Sequence, residues 1–154
     1  MDDLMTIQIQ AIARYAEAEG GMAVEKKLVV PLRDAVTGSM QKGGGTFRIL
    51  IDEKRCGARH FSLLMNTLHA GAISSEHKHE VESCWFFLSG RGKIRIAGKS
   101  FRVEPQTAAF VPAEALHRLE ADPGEDLTYL MIYAPPGPEQ EIQQQAKNGV
   151  SRSQ

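Results

Sequence analysis

Three histidines are the residues best suited to chemistry in this chain. His77 and His79 flank Lys78, and His117 closes the later run Val111-Pro112-Ala113-Glu114-Ala115-Leu116-His117. Side chains alternate at period two along an extended strand, so an H-x-H pair sends both imidazoles to one face. Neutral imidazoles suit Zn, Fe, Ni, Cu or Mn rather than Mg or Ca, which prefer oxygen ligands. Three ligands also leave positions open for water, dioxygen or a chelating substrate, whereas a structural zinc site is normally closed by four. The plainer alternative is a set of imidazoles satisfied by hydrogen bonds alone. His60 and His69 flank a predicted strand and read as surface or strand-end residues. A pocket beside an ion needs apolar walls and a few aimed polar groups. Phe47, Met65, Trp85, Phe87, Phe110 and Tyr129 are available for the walls, and Arg48 or Arg59 for a substrate carboxylate.

The elements that must carry these side chains are mostly short strands. Predicted β runs cover Thr46–Ile51, His60–His69, Ser83–Leu88, Lys93–Ala97, Ser100–Val103, Ala108–Val111, His117–Glu120 and Leu127–Tyr133, with turn residues between them. Ser89-Gly90-Arg91-Gly92, Ala97-Gly98-Lys99 and Asp122-Pro123-Gly124-Glu125 are explicit turns. The runs 84–88 and 129–133 are apolar on both faces, which predicts a second layer or a partner copy against the outer face. Before the strands, Leu4, Ile7, Ala11, Ile12 and Tyr15 recur at helical spacing and predict a short N-terminal helix over Leu4–Glu19. Met5–Gln10 also alternates, so a short strand is its rival. Lys27–Leu32 reads as extended and Thr37–Gly45 as loop, so residues 1–45 form an arm, 46–136 a barrel and 137–154 a polar tail. Within that tail, Glu139–Lys147 predicts a short helix and Ser151–Gln154 a loose end.

Composition narrows the function class. A chain of 154 residues suits one domain that needs no structural metal or disulfide, so a bound ion would serve function. With 42% apolar and 24% charged residues and a formal net charge of -1, it offers no nucleic-acid footprint. The expected partner is a small molecule. No basic region precedes an apolar run at Met1-Asp2-Asp3-Leu4, and no segment approaches membrane-spanning length, so no membrane association and a cytoplasmic location are expected. Cys56 and Cys84 form no C-x-x-C pair and read as reduced thiols. Cys84 fits a small buried hydrophobe better than a nucleophile.

In this order of strands and turns, roughly from Thr46 to Pro136, the chain resembles the cupins. Their first motif, G-x5-H-x-H-x3,4-E-x6-G, is matched by Gly71, His77, His79 and Gly90. Their second, G-x5-P-x-G-x2-H-x3-N, is matched by Pro112 and His117. The resemblance implies an all-β fold, a double-stranded β-helix or jelly-roll barrel, with metal ligands at His77, His79 and His117. The motif's glutamate position is Ser83, and Glu82 lies one residue early, on the opposite face of a regular strand unless a bulge intervenes. Both stay possible further ligands. Glu114 stands at the second motif's glycine and Ala121 at its asparagine.

A site without the carboxylate holds more net positive charge, which favours an anionic or enolate-like chelate. Cupin dioxygenases similar to this site use three histidines and iron on diketones or aromatic compounds. The resemblance therefore implies a metal-dependent oxygenase acting on a small carbonyl or aromatic acid, with Fe, Ni, Zn or Mn as cofactor and Arg48, Trp85, Phe87, Phe110 and Tyr129 as substrate contacts. The rivals are a non-catalytic binding module and a cupin isomerase, decarboxylase or lyase. The two-sided strands and the N-terminal arm further suggest a homodimer.

Overall fold

The computed structural model describes residues 26–40 and 44–150; the expected helix over Leu4–Glu19 and the end at Ser151–Gln154 lie outside the described residues. Two antiparallel sheets face each other. The larger contains β1 (Val36–Ser39), β2 (Gly45–Ile51), β3 (Ser62–Leu68), β4 (Glu82–Ser89), β7 (Ala108–Val111) and β9 (Leu127–Ala134), in the order β1-β2-β3-β9-β4-β7. The smaller contains β5 (Gly92–Ile96), β6 (Lys99–Val103) and β8 (His117–Ala121), in the order β6-β5-β8. A short helix, α1 (Glu53–Cys56), follows β2, and α2 (Pro138–Val150) follows β9.

Period-two burial is clear in β2, β3, β4, β8 and β9. The inward phase places Phe47, Ile49, Leu64, Leu68, Trp85, Phe87, Leu127, Tyr129 and Met131 of the large sheet against Ile94, Val103 and Leu119 of the small one. Removing this apolar surface from water is the main force closing the sheets on each other. Gly90 turns the chain between β4 and β5 with φ +80°, and a Cβ there would collide with the Asp126 carbonyl, so only glycine fits this corner.

Three sequence expectations need correction. Val36–Ser39 is not loop: it pairs with β2 in the register Val36↔Ile49 to Ser39↔Thr46, so the large sheet begins ten residues before the predicted barrel. Its glycine hid it, yet Gly38 is useful there because the Phe47 ring lies across it where a Cβ would sit. Of Lys27–Leu32, Pro31 is extended at φ -60° and ψ 148°, but the segment joins no sheet among the described residues and Leu32 opens a single 3-10 turn, Leu32–Asp34. α1 was not anticipated; Asp52 caps it by accepting from Arg55 N at 2.8 Å, and Gly57 ends it at φ +73°.

Candidate metal centre

His77 and His79 lie in the connection between β3 and β4, and His117 opens β8. Rather than sharing a strand, the ligand segments are joined by an isolated antiparallel bridge, with His77 N donating to His117 O at 3.0 Å and His117 N to His77 O at 2.8 Å. Glu114 N adds a bond to His79 O at 2.7 Å. Glu114 has φ +61°, which explains why the motif position it occupies is a glycine elsewhere. Its carboxylate pairs with Lys78, the residue between the two histidines.

The three rings converge, with one nitrogen of each within 4.8 Å of the others. Their chemical state can be read from hydrogen bonds. Nδ1 of His77 lies 2.8 Å from the Ser75 carbonyl, and Nδ1 of His117 lies 2.8 Å from the Ala115 carbonyl. A carbonyl only accepts, so both Nδ1 atoms carry the proton and both Nε2 lone pairs are free. His117 Nε2 is buried and finds no hydrogen-bond partner among the described residues. An orphaned buried acceptor is costly, and an ion at the convergence point would satisfy it. Burial, aided by the neighbouring His77 and His117, lowers the His79 pKa to about 4. Burial also lowers that of His117, against the opposing bond to Ala115. Rings that resist protonation suit metal ligation. The residues present therefore fit a divalent transition ion.

The surroundings follow the β4 and β9 phases. Ser83, Trp85 and Phe87 point inward, whereas Glu82, Cys84 and Phe86 point out. Glu82 is thus on the wrong face to reach the histidines: β4 is regular at that end, pairing Glu82↔Ala134 and Ser83↔Tyr133, and its one register shift lies at Phe87/Ser89. Ser83 is on the inner face but accepts from Trp85 Nε1 at 2.9 Å. Trp85 meets His117 edge-on at 5.7 Å and stacks on Tyr129 at 4.9 Å with planes 4° apart, while Phe87 lies 5.7 Å from Tyr129. These three aromatic side chains, with Phe47, are buried on the inner faces of the large sheet.

Phe110 is 57% exposed on the outer face of β7, and Arg48 and Met65 share the outer phase of β2 and β3, so none of them lines the interior. Arg59 is an exposed residue of the loop before β3. Exposed His60 precedes the same strand, and His69 ends it beside Asp126 at 3.6 Å, as expected of surface positions.

Sequence reasoning missed several residues. Tyr133, on the inner phase of β9, brings its hydroxyl to 3.3 Å from His79 Nε2, and burial pushes its pKa well above the usual tyrosine range. Its phase with Tyr129 was a readable signal. Asn66 is buried at the position paired with Tyr129 across β3 and β9. Glu139, buried at the start of α2, accepts from Ser62 Oγ at 2.9 Å and Gly137 N at 2.8 Å. A cavity of about 420 Å³ opens beside His79, lined by Lys78, Glu80, Val81, Glu114, Gly137, Pro138 and Glu141.

Two antiparallel sheets that bring three histidines together define a β-barrel class with a candidate metal centre. Comparison with known proteins agrees: a family model for the cupin domain matches residues 64–133. An uncharacterized protein of Streptomyces coelicolor is 30% identical over 78 residues, 51% of this chain and 73% of that protein. Among solved structures, the polyketide cyclase RemF from Streptomyces resistomycificus matches with a TM-score of 0.61 and 25% identity over 70% of this chain and 78% of its own. Bacillus subtilis oxalate decarboxylase, described with Mn(II) centres, matches with a TM-score of 0.63 and 18% identity over 77% of this chain and 32% of its own. The chain belongs to the cupin superfamily. No helix among the described residues is long and apolar enough to cross a membrane.

Proposed function

We propose that this protein is a metal-dependent cupin enzyme that binds one divalent transition ion through His77, His79 and His117 and oxygenates a small carbonyl or aromatic acid. The observation that carries the metal reading is the convergence of three imidazoles around the buried, partnerless His117 Nε2. When bound, the ion would act as a Lewis acid on a carbonyl or enolate oxygen. The chain's own residues supply the rest. Trp85, Tyr129 and Phe87 pack as an aromatic cluster behind His117 and keep water from that side of the histidines. Nδ1 of His77 and of His117, held by the Ser75 and Ala115 carbonyls, fix the ring orientations.

The likeness to a polyketide cyclase favours a second reading, non-oxidative ring closure of an enolisable carbonyl substrate at the same site. The first experiment is metal content by elemental mass spectrometry on untagged protein, wild type against His77→Ala, His79→Ala and His117→Ala. Near-stoichiometric metal in the wild type, lost in each variant, supports the site; no uptake after incubation with Fe(II), Ni(II), Mn(II) and Zn(II) refutes it and leaves a non-catalytic binding module. Oxygen uptake with candidate diketones and aromatic acids then separates oxygenase from cyclase.

This reading includes a homodimer and a cytoplasmic location. The dimer is supported by the outer face of the large sheet, where Phe86, Leu88, Phe110 and Ile132 are exposed on neighbouring strands. A monomeric mass in solution would count against it. The cytoplasmic location is supported by two free thiols, Cys56 and Cys84.

A further inference from the structure

Tyr133 is the one hydroxyl that touches the histidine group among the described residues, its oxygen standing 3.3 Å from His79 Nε2. That contact sets the hydroxyl beside the three-histidine group that would hold the ion. Its fate on metal binding follows from hydrogen-bond accounting. Once the His79 lone pair is committed to an ion, the buried O–H loses its acceptor, and an unsatisfied buried donor is costly. Among the described residues this hydroxyl makes no other hydrogen bond. Nor does the group carry a balancing charge of its own: among the described residues it contains three histidines and no carboxylate. The missing acceptor and the missing negative charge lie in the same place.

We infer that Tyr133 is a substrate-binding residue that donates its hydroxyl hydrogen bond to an anionic oxygen, carboxylate or enolate, seated beside His79. The inference rests on the metal reading above and names the ligand chemistry of that same site. Tyr133 then fixes the charged end of the ligand beside His79.

Acetate titration of the Co(II)-loaded protein, followed by the cobalt visible spectrum, tests this in wild type and Tyr133→Phe. The substitution removes one oxygen from a buried ring and leaves the core filled. Both proteins are expected to take up stoichiometric cobalt, and the acetate dissociation constant should rise about tenfold in the variant, as for a lost hydrogen bond to a charged group. Imidazole, a neutral ligand with no acceptor oxygen, should bind both alike. Equal acetate affinity in the two proteins, or no acetate binding to the wild type, would overturn the role of Tyr133 and leave the metal site standing. Loss of cobalt from Tyr133→Phe alone would overturn it by making the phenol a metal ligand. A wild type that takes up no cobalt would overturn the metal reading, and this inference with it.

Discussion

Glu139→Ala should loosen α2 and the wall it contributes beside His79. The Glu139 side chain is 1% exposed, and one of its oxygens, Oε2, accepts from both Ser62 Oγ at 2.9 Å and Gly137 N at 2.8 Å. Ser62 is fully buried, so truncation strands its hydroxyl, while the Gly137 amide is only half-buried and recovers part of its loss from water. Hydrogen bonds to a charged acceptor contribute about 1.5–3 kcal/mol each, and removing a buried carboxylate offsets part of that by ending its desolvation cost. The net expectation is a loss of about 2 kcal/mol, which lowers Tm by about 4–8 °C in a chain of this size. Thermal and urea unfolding give the stability. Hydrogen exchange should show earlier loss of protection in α2 than in β3 or β9. Glu139→Gln, which keeps one acceptor oxygen, should fall between the two. A Tm within about 1 °C of wild type for Glu139→Ala would refute the account, because 1 kcal/mol already corresponds to about 2–4 °C.

Three further outcomes are expected. In metal-free protein the His79 pKa lies at about 4 against an ordinary 6.5, so the unfolded chain takes the proton first as pH falls. Stability present above pH 6.5 is then lost progressively down to about pH 4, with His117 acting in the same direction, and Tm against pH for wild type and His79→Gln checks this. Ser83→Ala leaves Trp85 Nε1 a buried donor without its partner and should cost about 1–3 kcal/mol in urea unfolding, with a shift in tryptophan emission. Glu114→Gly relieves a left-handed backbone worth about 1–2 kcal/mol while removing the pair to Lys78, so stability should rise or hold; a clear fall in Tm would refute the strain assignment.

The strand pattern was legible because each run alternates or is bounded by turn residues, and the three histidines because two motifs carry them. Facing was harder to read. In β4 both phases are apolar, Trp85 and Phe87 inside and Phe86 and Leu88 outside, so hydrophobicity cannot say which phase meets the histidines. Phe110 falls on the exposed phase of the four-residue β7, too short a run for its facing to be read from sequence, and Glu82 stayed open because a bulge is not visible in sequence. Tyr133 and Glu139 escaped notice because their roles depend on contacts to His79 and Ser62, 54 and 77 positions away in the chain. β1 was hidden by a glycine whose purpose is the ring of Phe47 across the ladder.

Besides the Lys78–Glu114 pair, the ties between the two ligand loops are main-chain bonds, His77 to His117 in both directions and Glu114 to His79. None of them depends on an imidazole. The main-chain frame that displays positions 77, 79 and 117 therefore does not itself rest on those three side chains. A scaffold of this kind can exchange one ion for another over evolutionary time by single codon changes, without having to relearn how to fold.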